Sequence, residues 1–199
     1  MLTDHGAKLH GWEGKDYDFM HNHGRGPVLY EFRNFMAVNV LGEARRDRPK
    51  GPPYIVTIAD LSSTQRRLRI DPHLKAAERA FGDLIRIRKV KFHGVSVREQ
   101  VRIAASTAIY VTVCGGGAVT AMFLPRGSSA FLYYVENGGI EKNVKTGAPA
   151  MLDWDIFNNM AWIRSHWMPI KRMQEQEEID AFVKLVGHEL DIMMDEDSL

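Results

Sequence analysis

From Tyr54 to Val135, short β-branched runs alternate with segments that carry helix-start signals, and this alternation limits the fold more than any other feature. Tyr54-Ile55-Val56-Thr57-Ile58-Ala59 is an apolar run suited to a buried strand. Asp71-Pro72-His73 opens a helix that runs to about Phe81, with Gly82 as its stop, and Leu84 to Phe92 alternates as a strand does. Ser96-Val97-Arg98-Glu99 has the Ser-x-x-Glu form of a capping box, so a helix begins there, with Val97, Val101, Ala104, Ala105 and Ala108 as its small-residue face. Ile109 to Val113 is a third strand, Ala118 to Phe123 a short helix, and Ser129 to Val135 a fourth strand. Strands and helices that alternate in this way build parallel βαβ units. The expected fold is α/β, a Rossmann-like doubly wound, mostly parallel sheet whose ligands bind beyond the carboxyl ends of its strands.

The flanks are less regular. Residues 1–26 are rich in Gly and His without sustained periodicity and read as an irregular segment, leaving 27–199 as the Rossmann-like domain with a C-terminal helical extension. Pro27 suits a first helical turn, and Leu29, Phe32, Phe35 or Met36, and Val40 recur at helical spacing, so a helix is expected to run to about Gly42. A basic Pro/Gly loop covers Arg45 to Pro53, and a polar stretch covers Asn137 to Thr146. Trp154, Phe157, Met160, Trp162 and Trp167 form an aromatic segment, and Ile179, Phe182, Val183, Val186, Leu190 and Met193 mark a closing amphipathic helix.

Charge and composition exclude several classes. Lys plus Arg number 26 against 25 Asp plus Glu, so nothing in the net charge pulls the chain toward nucleic acid or an anionic membrane. No stretch reaches the ~20 apolar residues of a membrane span, and the first residues lack the apolar core of a signal peptide. One cysteine makes no internal disulfide. The histidines show no zinc-ligand spacing, so neither a metal nor a cofactor is expected. The basic residues are nonetheless clustered at Arg45 to Lys50, Arg66 to Arg69 and Arg86 to Lys91, which suits a small anion.

The chemistry centres on Cys114-Gly115-Gly116-Gly117. Glycines placed directly after a strand let backbone N–H groups approach a diphosphate, and the positive end of the helix at Ala118 adds to them. The other reading is a bare strand-to-helix turn. Arg66 and Arg67 can fork onto phosphate, with Ser63 adding a hydroxyl, or all three can lie in a solvated turn. Glu99 is explained by capping, and Asp153-Trp154-Asp155 reads as a loop or helix-start feature. Gly115-x-Gly117, with Glu136 about 20 residues on, also imitates a dinucleotide fingerprint, but position 120 is Thr where that fingerprint needs Gly or Ala. Binding of a dinucleotide or of S-adenosylmethionine is therefore a rival reading.

Taken together, Ser96-Val97-Arg98-Glu99-Gln100-Val101, Ala105-Ser106-Thr107, Val113-Cys114-Gly115-Gly116-Gly117-Ala118-Val119-Thr120 and Phe123-Leu124-Pro125-Arg126-Gly127 resemble glycosyltransferase family 61. In that family a helix with a Glu-Gln pair leads to a strand, a His-Gly-Ala-Gly-Leu turn and a Phe-Leu-Pro-x-Gly element. The resemblance extends weakly upstream, through Ser62 to Arg67 and the helix at 28–41. It implies the C-terminal half of a GT-B glycosyltransferase in the secretory pathway or Golgi. Such an enzyme transfers a sugar, with inversion, from a UDP-sugar such as UDP-xylose or UDP-N-acetylglucosamine to a glycan or glycoprotein acceptor. It further implies a donor site at Ser63, Arg66, Arg67, Cys114, Gly115, Gly116, Gly117 and Ala118, and an acceptor domain with the catalytic base that this chain lacks. Cys114 stands where the family has His and cannot supply the same hydrogen bonds. A buried structural thiol and a non-catalytic nucleotide-sugar-binding remnant are therefore expectations beside the active enzyme.

Overall fold

The computed structural model of the chain describes residues 26–42, 48–63, 66–134, 151–170 and 175–197. Helix α1 (Gly26–Leu41) precedes strand β1 (Tyr54–Ala59), which is followed by a small antiparallel hairpin of β2 (Leu61–Ser63) and β3 (Arg66–Arg67). Next come α2 (Asp71–Phe81), β4 (Ile85–Val90), α3 (Val97–Ala105) and β5 (Ile109–Val113). A 3-10 helix (Ala118–Phe123) leads to β6 (Ser129–Tyr134), and α4 (Met151–Asn158), β7 (Arg164–Pro169) and α5 (Gln176–Asp197) complete the order.

The main sheet has the order β4-β1-β5-β6-β7, and all of its pairings are parallel. Counted along the chain, that is the 2-1-3-4-5 order of a doubly wound α/β sheet. The chain moves outward from β1 to β4, then crosses back over β1 to β5. The order of the strands therefore reverses between β1 and β5, which are direct neighbours, with Val56 opposite Ile109 and Ile58 opposite Val111.

Both faces of the sheet are covered, which is why its central strands read as continuous apolar runs. In β5, Ile109, Val111 and Val113 face one core with Leu74 and Ala77 of α2 and Phe182, Val186, Leu190 and Met193 of α5. Tyr110 and Cys114 face the other, with Ala104 of α3, Ala118 and Ala121 of the 3-10 helix, and Ile156 and Phe157 of α4. In α5, Gly187 permits close approach to α2, since a Cβ there would sit 3.1 Å from the Phe81 ring.

The predicted strands fall where their β-branched runs lie, and Ser96 caps α3 by accepting the Glu99 N–H at 3.3 Å. The second half of the box differs: the Glu99 carboxylate pairs with Arg102 instead of reaching back to Ser96. Two further features depart from the sequence expectation. The aromatic stretch near the C-terminus supplies α4 and the edge strand β7. In α1, the phenylalanines expected on the buried face are outside, with Phe35 65% and Phe32 48% exposed, whereas Arg33 and Ala37 are buried. The Arg33 guanidinium tolerates this because it donates to the Leu124 carbonyl at 2.8 Å and lies over the Tyr30 and Trp162 rings.

Polar networks tie the amino ends of the strands. Glu189 of α5, fully buried, accepts from Ser129 at the start of β6, from Arg164 Nε at 2.6 Å and from His166 Nε2 at 2.8 Å. Burial alone would raise its carboxyl pKa. The bonds from His166, Ser129 and Arg164 outweigh burial and pull it down to about 2. Across the sheet, Arg88 donates to Thr57 and Thr107 and to the Ile103 carbonyl, holding the last turn of α3 on the strands.

Candidate functional site

In a doubly wound sheet the ligand crevice opens at the carboxyl ends of the two strands that flank the order reversal. Here those strands are β1 and β5. The segment leaving β1 runs into the β2–β3 hairpin, and the segment leaving β5 is the glycine turn. Topology thus brings two stretches separated by some 50 residues in sequence to the same end of two adjacent parallel strands. Ser63, Arg66 and Arg67 lie on the hairpin, with Ser63 opposite Arg66, while their side chains lie outside the described residues. Lys91 is exposed just past the end of β4, Lys89 inside that strand pairs with Asp71, and Arg69 is exposed between the hairpin and α2.

The four residues of the turn have different roles. Cys114 is buried on the sheet face that carries α3 and α4, and its N–H extends the ladder to the Tyr133 carbonyl at 2.8 Å. Its thiol is free and buried in that core with Tyr110, Ala104 and Ala118. Gly115 has φ 124°, a conformation closed to most side chains, so the turn requires glycine there. A Cβ on Gly116 would meet nothing within 4 Å, leaving its backbone open to an approaching group. Gly117 has φ −68° and ψ −27°, which any residue can adopt. Its carbonyl accepts the Tyr110 hydroxyl at 3.0 Å, and the Gly115 carbonyl accepts the Ala118 N–H at 2.8 Å. Burial pushes the Tyr110 phenol well above its ordinary range, so this donor keeps its proton. Nearby, Gln100 of α3 donates to the Val95 carbonyl at 2.8 Å and faces the Thr120 hydroxyl at 3.4 Å. These contacts connect the Glu-Gln helix to the segment after the glycines.

Two points go beyond the sequence expectation. The short helix after the glycines is a six-residue 3-10 helix with fully buried Ala118 as its first residue, so a long helix dipole does not back the turn. The Gly115 N–H is also engaged: it donates at 3.0 Å to Oδ1 of Asp153, a carboxylate only 6% exposed in the first turn of α4. Asp153 was legible as a helix-start residue. Its position at the glycine turn had no sequence signal, because the two are 38 residues apart and meet only through packing.

Among the described residues no three His, Cys, Asp or Glu side chains gather as a metal site, and no helix is long and apolar enough to cross a membrane. Glu136, the acid of the rival dinucleotide fingerprint, lies outside the described residues. Compared with models of protein families and with curated protein sequences, the chain finds no match.

Proposed function

We propose that this chain is the donor-binding half of an inverting glycosyltransferase of the family 61 kind, holding a UDP-sugar in the crevice between β1 and β5. One observation carries the reading: the Gly115–Gly117 turn and the hairpin bearing Ser63, Arg66 and Arg67 flank the same order reversal of the sheet. In this reading the diphosphate lies against the open backbone at Gly116 and Gly117, and Arg66 and Arg67 neutralise the charge that grows on the departing UDP. Inversion needs a base to take the acceptor hydroxyl proton, and the reading assigns that base to a partner domain. Ala118, buried beneath the turn, shapes the site without touching the ligand.

A non-catalytic nucleotide-sugar-binding protein is the second reading, and the packing role of Cys114 favours it, since the family's histidine is replaced by a group that bonds weakly. Calorimetric titration with UDP, UDP-xylose and UDP-N-acetylglucosamine tests the site, and absence of saturable binding to folded protein removes both readings. Replacing Arg66 and Arg67 together with Ala should weaken UDP binding on the order of tenfold or more, the loss of one or two charge-assisted bonds. An unchanged affinity places the arginines outside the site. Release of UDP from a donor sugar separates enzyme from binder. Binding of NAD or S-adenosylmethionine without a response to UDP would replace both.

A further inference from the structure

We propose that His73 makes the contact between α2 and α5 labile to acid, so that protonation of its imidazole releases α2 from the core while α5 stays fixed to β6 and β7. His73 lies in the first turn of α2 and is 1% exposed. Its ring stands edge-to-face with Phe182 of α5, centroids 5.5 Å apart, and its Nδ1 is buried without a hydrogen-bond partner among the described residues. Phe182 in turn packs on Phe131 at 5.8 Å, and Phe131 on His166 at 5.4 Å. Two imidazoles thus bracket one pair of aromatic rings, and their surroundings differ. His166 Nε2 lies 2.8 Å from Glu189 Oε1, a bond the ring keeps whether neutral or charged. His73 faces Phe182, and a charge placed there loses its hydration with nothing in exchange.

Charged groups on the elements around His73 are engaged or turned outward. On α2 itself Asp71 pairs with Lys89 of β4, Arg79 donates to the Lys75 carbonyl, and Lys75 and Glu78 are exposed. On β4, Arg88 is bonded to Thr57 and Thr107, and Arg86 is exposed. On α5, Glu178 acts on Tyr133 of β6, Glu189 is bonded to Ser129, Arg164 and His166, and Asp180, Lys184 and His188 are exposed. Burial is accordingly the one cause that lowers the His73 pKa below its ordinary 6.5. Above pH 6.5 the ring is neutral packed or released, and the contact has its full strength. As the pH falls below 6.5, the released imidazole takes a proton that the packed one refuses, so acid favours release. Glu189, with its pKa of about 2, stays ionised through this range, and α5 keeps its bonds to β6 and β7. What else joins α2 to α5 is apolar, through Leu74 and Ala77 in the shared core and Phe81 beside Gly187.

Three measurements on the full chain test the switch, and none needs a ligand. Ring-nitrogen NMR titration of wild type, with His73 assigned through its contact with Phe182, should give a His73 pKa below 6.5. Amide hydrogen exchange at pH 7.5 and 5.5, corrected for the intrinsic effect of pH on exchange, should show α2 losing protection on the order of tenfold while α5 keeps its own. Urea titrations should show the unfolding equilibrium constant of wild type rising by up to about tenfold per pH unit below 6.5. His73→Phe, which keeps the aromatic contact and removes the titrating group, should lose that rise. If this variant fails to fold, the NMR and exchange measurements on wild type decide alone. A His73 pKa at or above 6.5, or an equal loss of protection in α2 and α5, overturns the switch, and so does a folded His73→Phe variant with the acid slope of wild type.

Discussion

The two ends of the sheet each hold a buried carboxylate, and the two are held by different kinds of partner. At the amino ends, Glu189 is locked by Ser129, Arg164 and His166, so the helix α5 is bolted to β6 and β7 by charge as well as by Phe182 and Leu190. At the carboxyl ends, Asp153 rests on a backbone amide of a turn that other bonds already hold. The first arrangement spends its polar partners on each other and serves stability. The second joins the first turn of α4 to the turn that follows β5. In open α/β sheets ligands bind at the carboxyl ends, so the network locked around Glu189 sits at the opposite end of the sheet from the candidate site.

The largest effect is expected from Glu189→Gln, which leaves the Arg164 charge beside a neutral partner. Loss of one member of a buried ion pair costs about 3–5 kcal/mol, and in a chain of this size that lowers Tm by roughly 10 °C. UDP affinity, measured below the new Tm, should be unchanged, and a matched loss of affinity would break the division between the two ends. The same residue sets an acid limit. Its folded pKa of about 2 lies below the ordinary 4.5, so its contribution is complete above about pH 5 and is lost as the pH falls toward 2. Denaturation followed from pH 6 to 2 should show that slope in wild type and a flatter one in Glu189→Gln.

Gly115→Ala comes next, with a cost of about 1–3 kcal/mol for a side chain forced to positive φ. In the proposed donor site it should also weaken UDP binding, measured by calorimetric titration, because the strained turn has to shift. Gly116→Ala, with open space around its Cβ, should leave Tm within about a degree of wild type. Equal losses from the two would mean that the turn is not held as described. The smallest effect belongs to Ser96→Ala. The cap bond is long at 3.3 Å, so the loss should sit near the low end for N-caps, about 0.5–1 kcal/mol, and urea titration resolves it.

How far the sequence could be read depended on the locality of each signal. Tyr54–Ala59 and Ile109–Val113 were legible in full because a strand covered on both faces needs an unbroken apolar run. The strand Arg164–Pro169 was not, since an edge strand that pairs on one side tolerates Arg, Ser, His and a terminal Pro. In α1 the helix was legible and its buried face was not. Spacing points to Phe32 and Phe35, but a neighbouring carbonyl and two aromatic rings recruit Arg33 inward. At the candidate site, the glycine turn and the arginine loop could each be picked out as local patterns. Their meeting at one crevice required the strand order.

By itself, then, the sequence determined the alternation of strands and helices, the cap at Ser96 and the need for glycine after β5, because propensity, capping and backbone sterics act within a few residues. The strand order, the locked network around Glu189 and the carboxylate of Asp153 on the Gly115 amide were decided only by the tertiary structure. Each joins groups from 20 to 60 residues apart, and contacts of that kind are selected by packing, which no local pattern encodes.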